Sequence, residues 1–323
     1  MLKIADLQLK NPVICAPLAG ISNSAYYSLC LQQGAGLVYT EMTSSEAIHY
    51  GNKKTFAMCE IPEDTHPIAL QLFGAKVSSM VEAAVYLDEH SSCDLIDINM
   101  GCPAPKVVKT GAGSALMHEP ELAFAIVREI VKHVKKPVSV KMRLGYAQNE
   151  RNYLPFALGL QEAGASLIAV HGRTRTQMYQ GEADWEAIKE IKEALSIPVF
   201  GNGDVRSVED YFRRKEESGV DGIMIGRALV GNPFLIREIV LALEGKDYRK
   251  VAVEERLEAL RIHAQRLCAL YGEEAAMRQL RGIAPSYFKG LRGAAVFRAR
   301  CSSLLKYEEL EKILTEYIAS ISE

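Results

Sequence analysis

The sequence predicts an α/β protein: a (β/α)8 barrel of the TIM-barrel type, followed by a small C-terminal helical bundle. Three observations carry that expectation. Eight short β-like runs succeed one another, most with a helical pattern behind them. Nearly every run ends on a polar or glycine-rich group. After Gly231-Asn232-Pro233 the strand signal stops and helical periodicity takes over. An open doubly wound sheet is the structural alternative, but no Gly-x-Gly-x-x-Gly follows the first run.

In chain order the runs are Val13 to Ala16, Gly36 to Glu41, Ile68 to Phe73, Leu95 to Asn99, Val138 to Arg143, Leu167 to His171, Val199 to Gly201 and Gly222 to Ile225. Pro12, Pro67, Pro137 and Pro198 each precede one of them, as suits the start of a strand. Between them, helices are predicted over Ala25 to Gln33, Val77 to Glu89, Pro120 to Lys135, Asn152 to Gly164, Trp185 to Leu195 and Ser207 to Ser218, with Gly34 and Gly164 as stops. Leu241 to Val251 reads as a linker. Helices then follow over Val253 to Tyr271, Ala275 to Phe288, Gly293 to Leu305 and Tyr307 to Ser320. The expected division is a barrel over residues 1–243 and a helical domain over 244–323.

A chain of 323 residues, 48% hydrophobic and 24% charged, is ordinary for a globular protein. Its net charge of −2 gives no global pull towards nucleic acid, so any basic surface must be local. Seven cysteines without a Cys-x-x-Cys pair argue against a structural metal and a dithiol redox site. The odd number suits a reducing cytoplasm. Asp6 comes too early for a secretory signal, and no apolar run reaches the length of a membrane span. A monomer is expected.

The chemistry is expected at the strand ends, where a barrel builds its site. The fourth run ends in Asn99-Met100-Gly101-Cys102-Pro103, a thiol on a tight turn just past a strand. A free cysteine filling a turn is the plainer alternative. The first run ends in Pro17-Leu18-Ala19-Gly20 and the third carries Gln71, which also suits structural hydrogen bonding. The fifth carries Lys141 and Arg143, and the sixth ends in His171 and Arg173. Lys141 in an otherwise apolar strand could equally pair with a strand-end acid. Asn202-Gly203-Asp204 and Gly226-Arg227 close the seventh and eighth runs, where barrels commonly bind phosphate. Close backbone approach, a helix start and a guanidinium would favour an anion there; glycine turns needed by the fold are the alternative.

These stretches, with Gly113-Ser114-Ala115-Leu116, His171-Gly172-Arg173-Thr174-Arg175 and Met224-Ile225-Gly226-Arg227-Ala228, resemble bacterial tRNA-dihydrouridine synthases, nearest their B-type subgroup. The resemblance runs in order along the whole chain. It implies FMN across the top of the barrel, NADPH as reductant and tRNA as substrate. By the same resemblance Pro17, Leu18, Ala19, Gln71, Lys141 and His171 border the flavin. Asn202, Gly203, Asp204, Gly226 and Arg227 match its phosphate and ribityl contacts, Cys102 matches the proton donor, and Asn99 lies near the uracil. A thiol of ordinary pKa, about 8.5, is protonated at neutral pH, as a proton donor must be.

Arg143 at the fifth strand end and Arg173, Arg175 and Tyr179 on the sixth loop are expected to face the RNA, although a solvated loop would look the same. Met277 to Lys306 holds seven cations, Arg292, Arg298 and Arg300 among them, and no Asp or Glu. Tyr287 and Phe288 lie between them. This stretch is the expected tRNA-binding surface of the helical domain. Two other classes remain at this point: a flavin barrel for a small molecule, which has no use for a basic tail, and a non-catalytic RNA-binding barrel, against which Cys102, Lys141 and the phosphate loops argue.

Overall fold

All eight predicted strands form, and they pair in parallel. The computed structural model describes residues 2–322. The barrel strands are β1 (Val13–Cys15), β2 (Val38–Tyr39), β3 (Ile68–Phe73), β4 (Leu95–Met100), β5 (Val138–Met142), β6 (Leu167–His171), β7 (Val199–Asn202) and β8 (Gly222–Ile225). From β2 to β8 each pairs with the next, and β8 pairs with β1. The circle closes between β1 and β2 through the bridge Ile14–Leu37 and the bond from Cys15 N to Leu37 O, 2.9 Å. The strands are β-branched and apolar because helices cover them outside and side chains fill them inside. The consequence for function is register: Gln71 lies beside Asp97, Asp97 beside Ser139, Asn99 beside Lys141, and His171 beside Asn202.

Two compact units are distinguished. The first runs up to Ala19 and resumes over Ala35–Gly226; the second comprises Gly20–Gly34 and the chain from Arg227 onward.

In the first unit the crossover helices are α2 (Val77–His90), α3 (Pro120–His133), α4 (Tyr153–Glu162), α5 (Trp185–Ala194) and α6 (Val208–Ser218). Between β2 and β3 two short helices, Ser45–His49 and Lys53–Met58, take that place. Sequence cues set the boundaries. Pro120 opens α3, whose buried stripe is Ala123, Ile126, Val127 and Ile130, the spacing of one helix face. The Asp184 carboxylate caps α5 by accepting from Ala187 N, and Ser207 caps α6 by accepting from Asp210 N. Gly219, at φ 64, ends α6 in the left-handed conformation that a glycine adopts without strain.

The N-terminal residues, unassigned from sequence, form an antiparallel hairpin, Leu2–Ile4 with Leu7–Leu9. Ile4 and Leu9 are buried with Ile14, Leu37, Leu95, Leu167 and Phe200, so the hairpin plugs the end of the barrel where the strands begin.

In the second unit, α1 (Ser24–Gln32) and α7 (Phe234–Leu243) accompany α8 (Val253–Tyr271), α9 (Glu273–Tyr287), α10 (Ala295–Cys301) and α11 (Tyr307–Ser322). The apolar stripe of α9, Ala276, Met277, Leu280, Ile283, Ala284 and Tyr287, faces the core of this unit. Tyr287 and Phe288 therefore do not lie among surface cations: both are buried, and the Tyr287 hydroxyl sits 3.1 Å from His263 Nδ1. The helix expected over 293–305 is shorter, because Gly293 takes φ 68 ahead of it. Among the described residues, no helix is long and apolar enough to cross a membrane.

Truncating the plug isolates its contribution. Leu9→Ala is expected to lower stability by about 2–5 kcal/mol, the usual loss for a buried leucine. Urea unfolding followed by tryptophan fluorescence, which reports on the first unit through Trp185, checks this; an unshifted transition would mean that the hairpin does not close the barrel.

Candidate active site

The strand ends converge on a hydrogen-bonded row that begins with a carboxylate out of reach of water. Asp97, in the middle of β4, has no exposed surface. Its oxygens accept from Ser139 Oγ at 2.5 Å and Gln71 Nε2 at 2.6 Å. The Gln71 carbonyl oxygen in turn accepts from Asn99 Nδ2 at 2.8 Å. The Asn99 carbonyl oxygen then receives the backbone N–H of Gly101 at 3.1 Å and of Cys102 at 2.8 Å. Cys102 is thus fixed from below by an amide two strand positions beyond Asp97. From the other side its carbonyl accepts from Ser114 N and Oγ, which explains the Gly113-Ser114 stretch. Its thiol forms no disulfide and is only partly covered.

Lys141, next to Asn99 in register, has Asn202 Oδ1 at 3.4 Å. Withdrawal from water and the neighbouring Arg143 guanidinium push its ammonium down to about 8, against the pull of Asp97 and Cys102. Burial pushes the Asp97 carboxyl the other way, up to about 7, although Ser139, Gln71 and Lys141 oppose the rise. A carboxyl raised on folding binds its proton more tightly in the folded state. Its contribution to stability therefore falls as pH rises from the ordinary value of about 3.9 towards 7.

The remaining strand ends complete the rim. Pro17 and Leu18 follow β1 half-buried, and Ala19 is exposed. Ala16 N bonds Ile225 O at 2.8 Å, holding this segment to the end of β8. Beyond β7, Gly203 (φ 139) has its α-carbon so close to Ala183 that a Cβ would stand 2.5 Å from it. Asp204 follows at φ 52. At Gly226 a Cβ would meet Ala16 and Leu18 at ordinary contact distance. Arg227 begins a single 3₁₀ turn, Arg227–Leu229, and belongs to the second unit.

Two arginines expected to face substrate are buried instead. Arg173 is 1% exposed; it donates to Asp204 Oδ2 and Gly181 O, both at 2.6 Å, and to Gln180 O at 3.1 Å. Burial alone would raise the Asp204 carboxyl, but Arg173 and Ala183 N hold it below the usual range. Asp204 therefore spends its carboxylate on pinning the sixth loop. Arg143 donates to Gly101 O at 2.7 Å, Thr174 O at 2.9 Å and Met178 O at 3.0 Å, clamping the Cys102 turn to the sixth loop. A guanidinium carries five donors and loses little by facing inward when carbonyls meet them. The loop's exposed groups are Tyr179, whose ring lies 6.3 Å from that of His171, and half-exposed Arg175, stacked 4.8 Å over Tyr146. In the second unit Arg298 is exposed and so is Arg292, whereas Arg300 pairs with Glu316.

Sequence reasoning overlooked Asp97 and Ser139. The available signal was a polar residue at the centre of each of two otherwise apolar runs, Leu95-Ile96-Asp97-Ile98 and Val138-Ser139-Val140. Among the described residues, no three His, Cys, Asp or Glu side chains are grouped as metal ligands.

The row of groups at the mouth coincides with strong similarity to known proteins. The family Dihydrouridine synthase (Dus) matches residues 14–322. A probable tRNA-dihydrouridine synthase of Rickettsia bellii is 36% identical over 323 residues, covering 99% of each chain. tRNA-dihydrouridine synthase B of Pseudomonas aeruginosa is 36% identical over 305 residues, 94% of this chain and 92% of its own. Among solved structures, a 2-naphthoyl-CoA reductase complex superposes with a TM-score of 0.58 at 12% identity, over 76% of this chain and 52% of that one, a likeness of fold.

The buried pair makes its own prediction. Arg173→Ala takes away the buried partner of the Asp204 carboxylate, leaving it only Ala183 N and the exposed Arg206, and should cost up to about 3–5 kcal/mol. The effect should be full above the ordinary carboxylate pKa of about 3.9 and shrink as pH falls below it, because a carboxyl lowered on folding stabilises only while ionised. Thermal unfolding at pH 7 and pH 3 gives the comparison; an equal loss at both would mean that the ion pair is not what Arg173 contributes.

Proposed function

The chain belongs to the dihydrouridine synthase family, and we propose that it reduces uridines in tRNA to 5,6-dihydrouridine, with FMN as its flavin and NADPH as reductant. The observation that carries this reading is the Cys102 thiol, presented at the end of β4 beside Lys141 and tied through Asn99 to the strand beneath. A non-catalytic barrel would not need a thiol so held.

The residues at the mouth suit a flavin. An ammonium weakened by desolvation, as Lys141 is, gains most from an anionic neighbour, and the pyrimidine edge of a reduced flavin is one. His171 is assigned to the ring system, with Gln71, whose amide is already engaged by Asp97 and Asn99, bordering it, while the Pro17–Ala19 segment offers backbone and apolar contact. The close approach at Gly203, the backbone of Asp204, and Asn202 and Gly226 are the groups we assign to the ribityl chain and phosphate. When bound, the flavin supplies the hydride that enters C6 of the uracil.

The protein's own part is the proton. Cys102 donates from Sγ to C5, which saturates the C5=C6 bond and leaves a thiolate. Lys141, the register neighbour of Asn99, is the cation we assign to offset the negative charge left there. Asn99 holds the turn and borders the uracil. The target uridine must leave its stack to reach this depth, so exposed Tyr179 and half-exposed Arg175 are assigned to receive the RNA around it. Arg143 and Arg173 support that surface from within.

In the second unit we assign phosphate contacts to exposed Arg292 and Arg298, with Arg300 contributing less because Glu316 already engages it. This helical domain, expected over 244–323, is proposed as the tRNA-binding part.

Two experiments test this function. Cys102→Ala should keep its flavin and its reduction by NADPH but reoxidise with tRNA about 10²–10⁴-fold more slowly, the range for removal of a general acid. Stopped-flow flavin absorbance reads this, and reoxidation as fast as wild type would remove Cys102 from the reaction. Arg292→Ala with Arg298→Ala should weaken tRNA binding and flatten the slope of log K against log salt by up to about 0.9 for each phosphate no longer neutralised. Filter binding across a salt series decides it; an unchanged slope would locate the RNA-binding surface elsewhere.

A further inference from the structure

A carboxylate can only accept hydrogen bonds, and that restriction propagates. Asp97 faces Gln71, so Gln71 must turn its NH₂ towards Asp97 and its carbonyl oxygen away. That oxygen faces Asn99, so Asn99 must turn its NH₂ towards Gln71 and its own carbonyl oxygen away. The freed oxygen is the one that receives the N–H groups of Gly101 and Cys102. If Asn99 were reversed, its NH₂ group would point at those N–H groups and the turn would lose its acceptor; if Gln71 were reversed, its NH₂ would point at that of Asn99 and its oxygen at the carboxylate. Polarity thus runs one way, from a buried carboxylate through two amides to the backbone of the thiol turn.

We propose that Asp97 is a positioning residue for proton donation, setting the orientation of Gln71 and Asn99 and thereby the placement of Cys102. The assignment rests on the reading of Cys102 as the proton donor. It goes beyond that reading by giving a role to a residue that touches neither flavin nor uracil. The alternative use of Asp97 is as a counter-charge for Lys141. The two uses differ in what they demand at position 97: orientation needs only an acceptor aimed at Gln71, whereas a counter-charge needs the negative charge itself. Protonation of Asp97 does not break the relay, because the proton can face Ser139, whose hydroxyl also accepts.

The readout is hydrogen exchange at the Gly101 and Cys102 amides, resolved by NMR or by fragmentation mass spectrometry, with β1 and β8 amides as reference. It needs no turnover. Asp97→Leu keeps the branched shape but gives Gln71 nothing to donate to. It should speed exchange at both amides by about tenfold, roughly the loss of one net hydrogen bond, with the reference strands unchanged. Asp97→Asn loses the charge but still offers a carbonyl to Gln71 and an NH₂ to Ser139, and should keep the wild-type protection. Unaltered exchange in Asp97→Leu would overturn the proposal. So would equal deprotection in Asp97→Asn, which would assign the effect to charge. Should Asp97→Leu fail to fold, Gln71→Met cuts the relay one link later and must show the same local deprotection, and normal protection there overturns the idea. A wild-type chain that reduced no tRNA would count against the proposed function and leave the exchange result standing.

Discussion

Asp97 has no contact with water, so every lone pair it carries must be met from inside the barrel or left at a cost of several kcal/mol. That demand organises the upper half of the barrel interior. Ser139 from β5 and Gln71 from β3 supply the donors, and each is the register neighbour of Asp97 on its side. The layer above inherits their directions: Asn99 and Lys141 stand side by side, with the Cys102 turn held over them. A site that must hold a thiol in one place is served by building it on strands, because strand positions are fixed by ladders on both sides.

The same economy appears in the loops. Arg143 and Arg173 do not reach outward. They take up backbone carbonyls from the β4 and β6 loops and the carboxylate of Asp204, so the rim is tied together by buried guanidinium groups. What these loops then expose is the ring of Tyr179 after β6 together with the side chains of Lys106 after β4 and Arg206 after β7.

Much of this was legible in the sequence. Eight strand runs separated by helical spacing identify the barrel, since hydrophobic run length and proline placement are local properties. Cys102, Lys141, His171 and Asn202 are legible as strand-end groups for the same reason. The direction in which a long side chain turns is not local. Arg173 and Arg143 look like any arginines on a loop until the carbonyls they meet, up to 42 residues away in sequence, are known. Tyr287 and Phe288 look like partners of nearby cations, yet they end the buried stripe of α9. Asp97 was concealed by its own motif: beside Asn99 and Cys102 it reads as one more polar residue, and only register reveals that it has two donors and no water. The N-terminal hairpin escaped because three-residue strands carry too little pattern to distinguish them from a loop.

The activity assigned to this chain is the conversion of uridine in tRNA to dihydrouridine. It is tested most directly by measuring dihydrouridine in tRNA from a host lacking its own dihydrouridine synthases, with and without this chain expressed. Dihydrouridine is expected at one or more defined uridines only when the chain is present. A tRNA pool that stays free of dihydrouridine, from cells shown to contain the folded, flavin-loaded protein, would contradict it.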